Sequence, residues 1–197
     1  MNSISWRKSL NCDGAYGWAL LLVLAVMLLP AAGGARWLLA LRFERSAVQH
    51  GEWWRLLSAH CVHLGVRHLL LDGAALVLLW ALYARALGPK SWLLVLLGSI
   101  VAIDAGLWWL APRLQWYVGI SGLLHGVWAA GAVTSAWRRD ITGWLLMFAL
   151  AGKLAWEQLA GASLVVASFP VVVDAHLYGA LGGLLALAAM NMLPRRL

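Results

Sequence analysis

Residues 119–126 read Gly119-Ile120-Ser121-Gly122-Leu123-Leu124-His125-Gly126 and open an apolar run that reaches about residue 137. A second apolar run carries His176-Leu177-Tyr178-Gly179, with Gly183 four residues further on. One run offers a serine between glycines. The other offers a histidine followed at i+3 and i+7 by glycine. Both runs have the look of buried membrane helices, so their reading decides the fold class and where the chemistry sits.

Working outward, the whole chain has a membrane composition. Of 197 residues, 63% are hydrophobic and 12% charged, and mean hydropathy is +0.79, far from the soluble norm. The length fits a single domain, residues 1–197. Net charge is +7 and pI about 10.1. The basic residues lie between apolar runs rather than on one face, which excludes nucleic acid as a partner and points to membrane topology. Cys12 and Cys61 flank the first apolar run and make no disulfide framework. That run lacks a small-x-small exit, so it reads as a retained span rather than a cleaved leader.

Crossing the hydrocarbon takes about twenty apolar residues. Candidate spans cover residues 16–33, 66–87, 91–111, 120–137, 141–160 and 171–193. The expected fold is an all-α membrane protein, a six-transmembrane-helix bundle. The fourth span is short and starts at the Gly-Ile-Ser-Gly turn, so it begins below the membrane surface. Irregular backbone at that depth must lie against protein or a water-filled cavity. The short loops set orientation: Arg138-Arg139 on one side, against Arg113 alone in 112–119 and no base in 161–170. Both termini are expected in the cytoplasm. Tryptophans near span ends (Trp6, Trp18, Trp37, Trp108, Trp109, Trp116) read as an interfacial belt. The stretch at about 34–65 is the one substantial extramembrane loop. Its Gly51-Glu52-Trp53-Trp54-Arg55-Leu56-Leu57 segment suits the headgroup region of the lipid bilayer.

Ionisable residues inside spans are costly, so each is a functional candidate by default. They are His68, Asp72, Asp104, His125, Lys153, Glu157, Asp174 and His176. Lys153 and Glu157, four apart on one face, read as mutual neutralisation. Asp104 has no local partner and reads as structural. His60, Cys61, His63 and His68 crowd together, but their spacing matches no zinc pattern. A haem held by His68, His125 and His176 leaves the Gly-x-Ser-Gly unexplained. No metal and no organic cofactor is expected.

Gly122 and Gly126 form a small-xxx-small face on the fourth span, and Gly179 and Gly183 form another on the sixth. If these faces meet, His176 is carried next to Ser121. The bland alternative is two ordinary packing motifs, with Ser121 bonding back to its own helix.

Four ordered features then resemble the rhomboid family of intramembrane serine proteases over nearly the whole chain. These are Trp54-Arg55 in the first loop, His68 and Asp72 with His63 five residues upstream, Gly119-x-Ser121-Gly122, and His176-x-x-Gly179-x-x-x-Gly183. Leu124-His125-Gly126 is similar to the rhombosortase branch. The resemblance implies a serine endopeptidase with Ser121 as nucleophile and His176 as general base, a dyad without a third carboxylate. It implies an oxyanion site from the Ser121 N–H, His68 and Asp72, shaped also by Gly119, Gly122 and His125, with Gly126, Gly179 and Gly183 packing the helices. The implied substrates are membrane-anchored proteins with a C-terminal Gly-Gly motif, a transmembrane helix and a basic tail. The implied setting is a bacterial inner membrane, the site opening to the periplasm under a cap at 161–170 that includes Phe169 and Pro170. A transpeptidase would use the same residues. A non-catalytic binder of transmembrane segments is the other alternative, and the intact Ser121 and His176 argue against it. Two positions depart from the family: Asp72 stands where asparagine is usual, and His125 where an aromatic residue is usual. An ionised aspartate cannot donate to an oxyanion. Either burial keeps Asp72 protonated so that it donates, or Asp72 is ionised, pairs with His68 and holds it as an imidazolium; the pair is the cheaper way to bury both groups and is preferred. His125 competes with His176 as the base.

Overall fold

The computed structural model describes residues 10–11, 13–161 and 169–192. Trp6, Arg7, Lys8, Cys12, Arg195, Arg196 and residues 162–168 of the expected cap lie outside the described residues.

Without water to satisfy the backbone, an apolar run must close its own hydrogen bonds, which favours helix. Helix α1 spans Gly17–Ala32. At Gly33 the chain bends by 113° into α2, Gly34–Leu41. A two-residue strand β1 (Phe43–Glu44), two short helices α3 (Arg45–Gln49) and α4 (Trp54–Ser58), and a 3-10 turn at Ala59–Cys61 complete the first loop. Helix α5 covers Gly65–Trp109 but is broken at Gly88, whose φ is +68°. Glycine alone takes that conformation without strain, and Pro89 withholds the next backbone donor. The expected second and third spans are therefore two limbs, 65–87 and 89–109, joined by a kink rather than a loop. Strand β2 (Trp116–Tyr117), α6 (Ser121–Trp137), α7 (Ile141–Ala160) and α8 (Val173–Met192) follow. Each expected span thus has a helix or helix limb. By length and hydropathy, two described helices, α5 and α8, suffice to cross a membrane, and three do if α1 and α2 count as one bent span.

The centre is a seam between α6 and α8. A Cβ on Gly122 would stand 2.8 Å from the Ala175 carbonyl oxygen, and one on Gly126 would stand 2.7 Å from that of Gly179. A Cβ on Gly183 would stand 2.6 Å from the Gly126 Cα. All are closer than real contacts allow, so only glycine permits this crossing. The second limb of α5 closes the third side: Ser99 Oγ donates to the Gly179 carbonyl at 3.0 Å. Leu76, Ile103, Leu107, Leu123 and Val127 fill the remaining core. In lipid this association rests on close van der Waals packing rather than on expulsion of water.

The first loop is a folded cap. Arg45 on α3 donates to the carbonyls of Leu107, Trp108, Ala111 and Leu114 at 2.6–3.2 Å. Leu107 and Trp108 lie in the last turn of α5, where orphan carbonyls and the helix dipole favour a cation, and Ala111 and Leu114 follow in the turn beyond it. Arg55 on α4 turns inward to Glu52 (2.6 Å) and to the carbonyls of Leu39 (2.8 Å) and Arg42 (2.9 Å). Trp53, Trp54 and Leu57 stay exposed, an apolar face suited to headgroups. At the opposite end, Arg85 pairs with Asp13, whose carboxyl it holds below the usual carboxylate range. Arg138 donates to the Ala86 carbonyl there at 3.1 Å. Helix α7 is peripheral: only Gly143, Leu150 and Glu157 are buried in it.

Candidate active site

Ser121 owes its place to the segment before it. Strands β1 and β2 pair antiparallel, with Phe43 opposite Tyr117 and Glu44 opposite Trp116, so the first loop anchors the approach to the serine. Tyr117 Oη donates to the Gly119 carbonyl at 2.9 Å, and the Gly119 N–H donates to the Ala59 carbonyl at 3.0 Å. Gly119 has φ +111°, and a Cβ there would lie 2.9 Å from the His68 ring. Both facts demand glycine. Ile120 caps α6, which makes Ser121 its first residue. The opening N–H groups of a helix have no intrahelical acceptor and sit at the positive end of its dipole. The serine amide is thus available to an oxyanion.

Because the glycine faces meet, α8 brings His176 Nε2 to 3.1 Å from Ser121 Oγ. On the other side of the ring, His176 Nδ1 lies 2.9 Å from Glu157 Oε2 on α7. The second oxygen, Oε1, accepts from Lys153 Nζ at 2.5 Å. The Glu157 side chain is wholly buried and that of Lys153 is 14% exposed. An ionised carboxylate only accepts. The proton of His176 therefore sits on Nδ1, and the Nε2 lone pair faces the serine hydroxyl. This corrects the expectation of a serine and histidine without a carboxylate. The expected Lys153–Glu157 pair does form, but it also reaches the imidazole. Sequence reasoning missed that because the partner is on another helix. The available signal was Glu157 itself, an acid in an otherwise apolar helix with only one cation in reach.

His125 lies against the same group. Its ring stacks on that of His176 with centroids 4.1 Å apart and planes within 15°. Its Nδ1 is 2.7 Å from the Ser121 carbonyl oxygen. That oxygen can only accept, so Nδ1 carries the hydrogen. His176, and not His125, meets the Ser121 hydroxyl.

His68 and Asp72 line the opposite wall. His68 Nδ1 accepts from the Leu64 N–H at 3.2 Å. A nitrogen that accepts a hydrogen bond carries no proton, so His68 is the neutral tautomer with its donor on Nε2. This contact runs against the expected imidazolium. Asp72 Oδ2 stands 3.2 Å from His68 Nε2 and 3.2 Å from His63 Nε2. The Asp72 oxygen and the His63 nitrogen lie in ion-pair range, yet neither is aligned for a hydrogen bond. His68 and Ser121 line the same groove, and Asp72 as a carboxylate offers it no donor. Phe169 stacks on His68 at 4.4 Å, so the described end of the cap segment covers the site. Ser121, His68, Phe169 and Pro170 border a cavity of about 20 Å³, the size of one water molecule.

From the serine a groove of about 360 Å³ runs along the first limb of α5, α6 and α7. Leu71, Leu78, Leu82, Leu124 and Leu146 line its apolar length, and His68, Asp72, Ser121, Lys153 and His176 line its head. It fits an apolar chain whose reacting bond reaches the serine.

The nitrogens and carboxylate of His125, His176 and Glu157 lie within 4.8 Å of one another, a distance suited to a metal. Stacked rings send their in-plane lone pairs side by side rather than to one point, so this set fits a metal poorly. The same stacking leaves no room for a macrocycle between His125 and His176. The crowded histidines of the first loop separate. His60 Nε2 lies 3.4 Å from Asp104 Oδ1, giving Asp104 a distant partner, while His63 goes to Asp72. Cys61 is free.

The sequence matches the Rhomboid domain family over residues 50–192. It is 29% identical over 157 residues to "Putative rhomboid protease YdcA" of Bacillus subtilis, covering 80% of this chain and 77% of that protein. It is 26% identical over 159 residues to "Rhomboid protease GluP" of the same organism, covering 76% of this chain but only 28% of that protein. With a matched domain spanning most of its length and apolar helices in the expected places, this chain is a membrane protein of the rhomboid family.

Proposed function

We propose that this protein is an intramembrane serine endopeptidase in which Ser121 attacks the scissile carbonyl and His176 acts as general base. The observation that carries this reading is the 3.1 Å approach of Ser121 Oγ to His176 Nε2 at the head of an apolar groove. As Oγ bonds to the carbonyl carbon, its proton moves to Nε2. The oxyanion that forms is held by the Ser121 N–H and by the Nε2–H of His68. Preorganised donors of this kind are worth about 2.7–4 kcal/mol each. His176 then returns the proton to the leaving amine, and water releases the acyl group from Ser121 by the same relay. The names of the two relatives agree with proteolysis.

The substrate is a membrane-anchored segment lying in the groove. A Gly-Gly motif before a transmembrane helix and basic tail suits it, because glycine weakens helix by about 1 kcal/mol relative to alanine and so presents extended backbone to the serine. Leu124-His125-Gly126, the rhombosortase-like feature, supports that choice. We further propose six crossings, with the two limbs of α5 each spanning and both termini in the cytoplasm of a bacterial inner membrane. Arg85 and Arg138 lie at the end of the bundle away from Ser121, which supports a periplasmic opening. The test is labelling by a fluorophosphonate in membranes. Wild type should label and Ser121→Ala should not. Equal labelling of both would sink the assignment.

A further inference from the structure

Helix α7 turns an apolar face outward through Leu145, Phe148, Trp156 and Leu159, yet holds Glu157 at zero exposure. Burying a carboxylate is costly unless it is paired and hydrogen-bonded. Neutralising Lys153 would not require this depth, since Lys153 itself reaches the groove. The two carboxylate oxygens divide instead: Oε1 takes Lys153 at 2.5 Å, and Oε2 takes His176 Nδ1 at 2.9 Å. The imidazole thus stands between a hydroxyl and a carboxylate, with His125 stacked on its face.

We propose that Glu157 is the positioning residue of the His176 base and that Lys153 is its counter-ion, so that the working unit is serine, histidine and glutamate. This rests on the protease reading above. Glu157 keeps the hydrogen of His176 on Nδ1 and directs the Nε2 lone pair at Ser121. When the Ser121 proton moves to Nε2, the imidazolium that forms lies against the carboxylate. The Nδ1 hydrogen stays where it is, and Glu157 takes no proton. Lys153, one turn earlier on the same helix, keeps the carboxylate charged and shares it. The consequence is that the peripheral helix α7, and not only α6 and α8, carries a group that chemistry needs.

The experiment measures the rate at which a fluorophosphonate labels Ser121 in detergent-solubilised full-length protein, which requires no knowledge of the natural substrate. Thermal unfolding is recorded alongside. Wild type is compared with Glu157→Gln, Glu157→Asp, the double variant Lys153→Met/Glu157→Gln, and Ser121→Ala. Glu157→Gln should label more than tenfold more slowly. Glu157→Asp should recover part of that loss, because the charge returns. The double variant should be as slow as Glu157→Gln. Three results would each overturn the proposal: a Glu157→Gln rate within tenfold of wild type, equal rates for the aspartate and glutamine variants, or a double variant restored to the wild-type rate. The last would show that Glu157 serves only to neutralise Lys153. If Glu157→Gln fails to fold because Lys153 is left uncompensated, the double variant, with neither charge, decides alone. Labelling that survives in Ser121→Ala would instead refute the protease reading itself.

Discussion

The molecule holds two histidine–carboxylate pairs on opposite walls of one groove, and they are built differently. His68 and Asp72 lie one turn apart on the first limb of α5, with Nε2 and Oδ2 3.2 Å apart. His176 and Glu157 come from different helices and approach to 2.9 Å. In the local pair, the second ring nitrogen is held by the Leu64 N–H, so the proton is left on Nε2, beside Asp72. In the distant pair, the carboxylate holds the proton on Nδ1 and leaves Nε2 bare toward Ser121. The same two residue types thus produce a donor on one wall and a base on the other. What an imidazole does here is set by the partner of its far nitrogen.

Breaking the base side should have the largest effect. His176→Ala should lower the rate of Ser121 labelling, and of reporter cleavage, by about 10⁴-fold or more. Members of one catalytic unit are non-additive, so Ser121→Ala/His176→Ala should be no worse than Ser121→Ala alone. Near-normal turnover in His176→Ala would move the base to His125. On the donor side the loss should be smaller. His68→Ala removes one oxyanion donor and should cost about 10²–10³-fold in kcat, with KM for a membrane-anchored Gly-Gly reporter little changed. A loss confined to KM would make His68 a substrate contact instead.

Gly183→Leu tests the seam that sets the distant pair's geometry. The new side chain must displace the Gly126 backbone, and a shift of about 1 Å can cost about a hundredfold. The local pair, carried wholly by α5, should keep its distance. A fully active Gly183→Leu variant would show that α6 and α8 do not need this contact. The smallest effect is expected for Asp72→Asn. His68 already owes its tautomer to Leu64, so removing the Asp72 charge should change kcat less than tenfold across a pH–rate profile. A large loss confined to neutral and alkaline pH would revive a charged His68.

Much of the architecture was legible. The apolar runs marked the helices because lipid leaves a spanning chain no other way to satisfy its backbone. Gly122, Gly126, Gly179 and Gly183 announced a close crossing, since small residues four apart form a face on any helix. The gap between the second and third candidate spans coincides with the break in α5 at Gly88 and Pro89. The first loop was less legible. Arg45 and Arg55 counted along the chain as topology charges, yet they bind carbonyls far from them in sequence. Long cationic side chains read the same whether they face water or cap a buried helix end.

The sequence by itself determined the helical bundle, its glycine seam, and the i,i+4 pairs His68–Asp72 and Lys153–Glu157, because helix periodicity carries such contacts without further information. Only the tertiary structure decided that His125 stacks on the base, that Leu64 takes the far nitrogen of His68, that His60 answers Asp104, and that Glu157 reaches past its lysine to His176. Each depends on how separate helices are rotated and offset, or on a turn whose dihedrals no period predicts. The packing of the whole bundle settles those quantities together, whereas a single helix carries only its own repeat.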